Sequence, residues 1–372
     1  MRLASISFEN FRNYKQISIN VDADLVLILG ENASGKTNFL EAIYFLSRLK
    51  SFRAPDALLV KHQEHFFKLT GGINEKKIEI AVQINPALRR QYKIDDQKIK
   101  RGFWQGFASI LFVPNDLNLF QLGPILRRKY LDETLSQIDA TYTLDLESLD
   151  HVLKQKAALL DQIYKQQAAR EQLKLWNEEL APIAIRITRM RQAFIDFLNQ
   201  RFSVKVNELM GYSSVFQIQY KRSFSQTQEE FLQNLVEHES EEIRSGKNLI
   251  GPHRDDFTVE KDTVLNLYNS SRGELRSQIL ALKLLQADYL TEKGKQPIIL
   301  LDDVFSELDE IRRIKLLENL KDRQIFITST EEHHLPRLTK ETLLLKVEAN
   351  DIKIENHGIQ PNNYKVNKNK QH

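Results

Sequence analysis

Two periodicities run along the chain. Near its start, "LASISFENF" and "KQISINV" alternate apolar and polar residues, the pattern of half-buried β-strands. "LVLIL", Leu25 to Leu29, is instead apolar throughout and runs into a glycine, as a strand covered on both faces does before a turn. A helix is predicted next, because Leu40, Ile43, Tyr44, Leu46 and Leu49 recur at helical spacing. Short β-like runs return between Phe66 and Ile84, and "RRQYKIDDQKIKR" predicts a hairpin turning at Asp95-Asp96. Past Gly123 the period changes. From Tyr142 to Phe202 there is no glycine, and Leu146, Leu149, Leu153, Leu160 and Ile163, then Leu180, Ile183, Ile187, Met190, Phe194 and Phe197, follow a helical period. Pro182 predicts a helix start or a kink.

The β-like pattern resumes in "NLIGPHRDDFTVE" and "VLNLYN", and "KQPIILLDD" and "QIFITST" read as two further buried strands. Alternation of strand and helix at both ends, with helices between, predicts an α/β fold assembled from both termini. The expected division is a split domain, residues 1–122 with 246–349, a helical insertion at 123–245, and an Asn/Lys-rich tail at 350–372 that should fray.

Composition narrows the classes. The 372 residues suffice for a large core, and the absence of cysteine excludes disulfides and thiolate metal sites. "MRLASISFENFRNYKQ" lacks the apolar core of a secretory signal, and no run reaches the ~20 apolar residues of a membrane helix. The expected location is the cytoplasm. A net charge of +3 permits nucleic-acid binding without requiring it.

The chemistry is concentrated in "GENASGKT". Gly30, Glu31, Asn32, Ala33, Ser34, Gly35, Lys36 and Thr37 match G-x-x-x-x-G-K-[ST], placed after a strand and opening a helix. Successive backbone amides there form an anion nest, the helix end adds its dipole, Lys36 reaches the β/γ-phosphates, and the Thr37 hydroxyl is a ligand for Mg²⁺. A second carboxylate is needed at a neighbouring strand end, and "PIILLDDVFSELD" supplies two. Asp302 is the candidate Mg²⁺ ligand and Asp303 the candidate catalytic residue that orients the attacking water.

"SSRGELR" poses a separate problem. Ser271 as N-cap puts Glu274 at N3, which makes a capping box. Gly273 then falls at the second helical position, where it costs ~1 kcal/mol relative to alanine. A capped helix has no use for that glycine. A backbone that a ligand must approach closely does.

With "FENFRNY", "KSFR" (Lys50 to Arg53), "FVPNDLNLFQLGPILRRKYLD" and "NLIGPHRDDF", these segments resemble the SMC-type ATP-binding-cassette ATPases, in their bacterial recombinational-repair branch. The resemblance covers nearly the whole chain. It implies an ABC-type P-loop ATPase head with a β-rich subdomain and an inserted helical lobe. It implies that Ser271, Arg272, Gly273 and Glu274 form the signature contacting ATP in trans, held by the P-loop of a second subunit. Ser306, Leu308 and Asp309 then resemble the D-loop at the dimer interface. Implied with them are ATP and Mg²⁺, an ATP-dependent homodimer and slow hydrolysis used as a switch. The resemblance also implies nucleoid-associated binding to DNA at single-strand gaps and duplex/single-strand junctions, help to RecA loading with RecR and RecO, and roles in replication and the SOS response.

The chain departs from the wider cassette pattern in three places. Asp303 stands where glutamate is usual. Ser329 or Thr330 occupies the switch position, with His333 and His334 a turn later, and Asn115-Asp116 falls where a Q-loop glutamine would. Arg89, Arg90, Lys93, Lys98, Lys100 and Arg101 on the hairpin, and Arg127, Arg128 and Lys129 near the helical lobe, are candidate DNA-phosphate contacts. A solvated face, or pairing of Arg127 or Arg128 with carboxylates such as Asp132, is the alternative. Three other classes fit less well: an ATPase subunit driving a transporter would carry its signature much sooner after the P-loop. An SMC-like structural chromosome protein needs coiled-coil arms of hundreds of residues, and a P-loop kinase of a small molecule has no need of the 271–274 signature.

Overall fold

The apolar run Leu25–Leu29 becomes β3, buried at every position, inside a six-stranded sheet of order β15-β14-β3-β13-β12-β8. In it β8 (Ser109–Phe112), β12 (Ile298–Asp302), β13 (Ile325–Ser329) and β14 (Thr342–Glu348) run parallel to β3, and β15 (Asp351–Glu355) closes one edge antiparallel to β14. The computed structural model describes residues 1–372 except 102, 103, 105, 225–226, 266–269, 331–341, 349–350 and 356–372. His333, His334 and most of the predicted tail therefore lie outside the described residues. Asp351–Glu355, placed in the tail by composition, pairs as a strand because Ile352 packs on the core while Glu355, Lys353 and Asp351 stay in register with β14.

The period-two segments build a second, antiparallel sheet of order β2-β1-β4-β5-β6-β7, with β1 at Leu3–Phe11, β2 at Tyr14–Asn20, β4 at Phe66–Ile73, β5 at Lys76–Gln83, β6 at Arg89–Ile94 and β7 at Gln97–Ile99. The β6–β7 turn is the predicted one: Asp95 and Asp96 both have positive φ (48° and 63°), the geometry of a two-residue type I′ loop. Helix α1 (Lys36–Arg48) packs against both sheets and buries Phe39, Leu40, Ile43, Phe45 and Leu46 in one core shared with them. The buried Gln324 stitches the sheets together at the opposite end. Its amide donates to the carbonyls of Leu3, Val21 and Ala23, and its oxygen accepts from the Leu3 amide. Residues 1–112 and those from 298 onward thus form one unit, assembled from both termini.

Residues 113–297 form the second unit. It holds α2 (Pro124–Leu135), the long helices α3 (Ala140–Tyr164) and α4 (Leu173–Asn199), α5 (Phe202–Met210), α6 (Gln228–Ser245) and α7 (Arg272–Glu292). A three-stranded antiparallel sheet joins them, with β9 at Phe216–Lys221, β10 at Asp256–Lys261 and β11 at Val264–Leu265. The units divide at 112/113 and 297/298, whereas the sequence pattern suggested 122/123 and 245/246. Alternation in "NLIGPHRDDFTVE" signals a strand but not its sheet, and β10 pairs with β9 rather than with the terminal sheets. Pro182 sits inside α4, neither at its start nor beside a break in it. The buried face Leu180, Ala181, Ile183, Ala184 and Ile187 carries the helix through that position.

Candidate nucleotide-binding site

Gly35 caps α1 with φ 117°, a left-handed conformation that glycine adopts without penalty. A Cβ there would lie 2.5 Å from Asn13 Nδ2 and 2.9 Å from the Tyr14 hydroxyl, so a side chain would displace both groups as well as strain the backbone. Tyr14 in turn donates to the Gly35 carbonyl at 3.0 Å, and Asn13 Nδ2 to that of Ser34 at 3.3 Å. Gly30 is constrained likewise, since a Cβ would meet the Val347 carbonyl at 2.6 Å. The loop is held by the strands around it.

Lys36, 6% exposed, rests inside this loop and donates to the Gly30 and Glu31 carbonyls at 2.7 and 2.8 Å. Burial pulls its pKa down, while Asp303 and Asp302 act in the opposite sense. Among the described residues its acceptors are two main-chain oxygens of the loop that would wrap a triphosphate. Ser34 Oγ is buried without a hydrogen-bond partner among the described residues, which also fits an anion nest.

Thr37 donates to Asp302 Oδ1 at 2.9 Å, joining residues 265 positions apart. Asp302, 7% exposed, also accepts from Thr328 Oγ1 at 2.8 Å. Burial raises its pKa, against the pull of the Thr328 and Thr37 hydrogen bonds. Asp303 has φ 55° and ψ 21°, an unusual conformation for a residue other than glycine. Its amide donates to Thr328 Oγ1 at 2.9 Å, and its carbonyl accepts from Ser306 Oγ at 2.7 Å. Its half-buried carboxylate accepts no hydrogen bond among the described residues. Thr328 was missed in the sequence, where the switch position was placed at Ser329 or Thr330. A hydroxyl-rich strand end, "FITST", is the signal it left.

A second group was also missed. Glu41 on α1 is wholly buried and accepts from Arg12 Nε and Nη2 at 2.7 and 2.8 Å, from Arg53 Nη2 at 2.8 Å and from Ser51 Oγ at 2.5 Å. Burial would push its carboxyl up, but those hydrogen bonds outweigh it and hold the pKa low. Arg12, Asn13, Asn38 and Arg53 line a recess of about 580 Å³ together with Ala54, Leu58 and Val60. Asn13 belongs at once to that recess and to the P-loop. "FENFRNY" and "KSFR" contained these residues, but a strand pattern does not say which polar side chains converge.

In the second unit, Ser271 caps α7 and its hydroxyl accepts from the Glu274 amide, while the Ser271 amide donates to Glu274 Oε2 at 2.6 Å. The box predicted from the sequence is closed, with Gly273 at the second helical position. Ser271 and Arg272 are exposed and Glu274 is buried. The amides of Arg272 and Gly273 have no acceptor among the described residues, so this helix end offers free donors. Asp116 accepts from the Val113 amide at 3.0 Å and pairs with Lys283 on α7 at 3.0 Å, while Asn115 is exposed. In the first unit Ser306 is exposed, Leu308 is buried, and Asp309 caps α8 (Glu310–Asn319) by accepting from the Arg312 amide at 2.9 Å.

The cationic candidates separate by burial. Arg127, 8% exposed, is bidentate to Asp256 at 2.6 and 3.0 Å and donates to the Leu119 and Leu122 carbonyls at 2.9 and 2.8 Å. Its donors are thus taken up inside the unit, which favours the pairing alternative over a phosphate contact. Asp132, the partner suggested from the sequence, is taken by Arg191. Arg128 donates to the Asp255 carbonyl and Lys129 pairs with Glu133. On the hairpin, Arg90 pairs with Asp56 at 2.6 Å and Lys93 with Glu79 at 3.3 Å. Arg89, Lys98, Lys100 and Arg101 are exposed. Between Lys76 and Arg101, eight Lys/Arg residues stand against three Asp/Glu, which makes this stretch strongly basic.

Comparison with known proteins places this geometry in context. The family described as RecF/RecN/SMC N-terminal domain matches residues 2–353. The chain is 35% identical over 365 residues to the DNA replication and repair protein RecF of Streptococcus agalactiae serotype Ia, covering 95% of this chain and 98% of that one. It is 34% identical over 357 residues to RecF of Ruminiclostridium cellulolyticum, covering 91% and 95%. Among solved structures it is similar to the recombination mediator protein RecF-ATPrS in the RecFOR pathway, with a TM-score of 0.87 and 31% identity over 95% of this chain and 98% of that one. An Smc head bound to the C-terminal winged-helix domain of ScpA shares the fold, with a TM-score of 0.56 at 13% identity over 95% of this chain and 97% of that one.

Proposed function

The chain belongs to the RecF family of DNA replication and repair proteins, and from that premise we propose that it is an ATP-switched, dimerising DNA-binding protein of recombinational repair. The observation that carries the proposal is the pairing of Thr37 with Asp302 across 265 residues, beside a P-loop whose lysine donates to two of the loop's own main-chain carbonyls. Lys36 holds the β/γ-phosphates, and Thr37 and Asp302 are the residues that would hold Mg²⁺, which when bound supplies charge neutralisation for the triphosphate. Arg12, Asn13, Asn38 and Arg53 flank the nucleotide. The exposed end of α7 at Ser271–Gly273 meets the γ-phosphate of ATP held by a second copy, with Ser306, Leu308 and Asp309 beside the same interface. ATP then joins two subunits, and hydrolysis releases them.

Asp303 orients the attacking water, and its side chain has no hydrogen-bond partner among the described residues to hold it elsewhere. Asp303→Asn keeps the contacts of Lys36, Thr37 and Asp302 but removes the general-base carboxylate. Turnover is expected to fall at least about 100-fold, the usual worth of a positioned base, while the ATP-bound dimer persists. Single-turnover hydrolysis measures this, and a parental rate would remove Asp303 from the chemistry.

We place DNA on the β6–β7 hairpin, with Arg89, Lys98, Lys100 and Arg101 as phosphate contacts and Arg90 as a secondary one. Reversing Arg89, Lys98 and Lys100 together should weaken binding to all sequences alike. The salt slope for duplex DNA should flatten by about 0.9 per lost phosphate contact. An unchanged slope in a salt titration assigns the hairpin to a solvated face.

The pathway in which the relatives are described supports action with RecR and RecO to help RecA load at single-strand gaps and duplex/single-strand junctions, and in replication and the SOS response. A cytoplasmic, nucleoid-associated location is in keeping with that role. A P-loop kinase has no use for the exposed capped end of α7. A structural chromosome protein needs long arms, whereas the longest helices among the described residues have 25 and 27 residues. Sedimentation with and without ATP and a gapped duplex tests the reading. Dimerisation and DNA retention that both require ATP are the expected result.

A further inference from the structure

The capping box of α7 contains a contradiction. A glutamate at N3 closes the turn, but its charge occupies the same positive helix pole that an approaching triphosphate needs. Glu274 is buried, so water cannot screen that charge well. Its oxygens are divided between two tasks. Oε2 accepts from the Ser271 amide, whereas Oε1 accepts from Lys261 Nζ at 2.5 Å and from the Tyr212 hydroxyl. Lys261 ends β10, where it pairs in register with Phe216 of β9 and Val264 of β11, and its own side chain is 14% exposed. Tyr212 follows Gly211, the left-handed cap of α5. Two elements outside α7 therefore converge on one carboxylate oxygen.

We infer that Lys261 and Tyr212 are positioning residues of the signature turn: they neutralise and fix Glu274 so that the amides of Arg272 and Gly273 can donate to the γ-phosphate of a partner subunit's nucleotide. The inference rests on the composite-site reading above. Burial alone would raise the Glu274 pKa, yet the hydrogen bonds from Lys261, Tyr212 and Ser271 bring it down to about 2, so the group stays a carboxylate that needs a counter-charge. Both residues act on the turn through Glu274.

The test uses the full chain and ATP, with sedimentation velocity reading the protein concentration at half-dimerisation. Lys261→Met leaves Glu274 charged and unpaired by ammonium, and should raise that concentration about tenfold or more. Nucleotide binding to the variant's own P-loop should stay within about twofold. Adding Glu274→Gln to Lys261→Met removes the charge while retaining a capping-box side chain, and should restore dimerisation to within about threefold of wild type. Lys261→Arg should do so as well. If Lys261 only staples the fold, the double variant will be no better than Lys261→Met, and that result overturns the inference. So does a Lys261→Met protein that dimerises as wild type does. Should Lys261→Met not fold, Tyr212→Phe is the milder probe, with about a threefold shift expected and an unshifted midpoint counting against. A wild type that remains monomeric with ATP overturns the composite site itself, a separate result from any of these.

Discussion

Lys36→Met is expected to weaken nucleotide binding by at least about 30-fold, the largest loss from any single change to the P-loop. Lys36 donates two hydrogen bonds to the loop carbonyls of Gly30 and Glu31, and phosphate oxygens are far better acceptors for an ammonium than neutral carbonyls are. A charged hydrogen bond contributes roughly 1.5–3 kcal/mol, and each 1.4 kcal/mol is a factor of ten. Methionine matches the length and apolar stem of lysine, so the buried position stays filled and the fold should survive. Every ATP-dependent property should fall together, because the charge is lost at the binding step. Titration calorimetry checks this directly. A variant with parental affinity would show that the triphosphate lies elsewhere.

Ser271→Arg is expected to abolish ATP-dependent dimerisation while leaving ATP binding near normal. As a local change it costs little: loss of the cap is worth ~1 kcal/mol, and Ser271 is exposed, so an arginine has room in the isolated chain. In the composite site the same side chain would lie between the α7 amides and the partner's γ-phosphate. Closure is then blocked sterically, although the variant's own P-loop is intact. ATP hydrolysis and ATP-dependent retention on DNA should be lost with the dimer. A thermal melt displaced by only a few degrees, with no dimer in sedimentation, is the expected pair of observations.

The parts of the site set by local rules were legible in the sequence. The P-loop has a strand before it and a helix after it, the capping box fixes where α7 begins, and the paired aspartates at 95 and 96 fix the hairpin turn. Each depends on residues within a few positions of one another. What the sequence left unread depends on partners far away in the chain. Nothing near Arg127 distinguishes it from Lys98, yet one is clamped to Asp256, 129 residues away, and the other is exposed. Thr328 joins Asp302 to Asp303 only because β12 and β13 lie side by side. Arg12, Glu41 and Arg53 converge because the left-handed turn at Arg12 and the segment after α1 meet over that helix. The unit boundary was misplaced for the same reason, since alternation reports which face of a strand is apolar and not which sheet it joins.

Mixing Ser271→Arg with Lys36→Met subunits tests the shared site most directly. Each variant alone lacks either the signature or the P-loop at every interface it can form. In the mixed dimer one interface combines the intact P-loop of the first with the intact signature of the second, while the other interface carries both defects. Sedimentation velocity of the equimolar mixture with ATP, at concentrations where wild type is dimeric, should show a dimer that neither variant forms alone, together with partial ATPase activity. A mixture that stays monomeric and inactive, or a Ser271→Arg protein that dimerises with ATP unaided, would contradict contact of the signature with a partner's nucleotide.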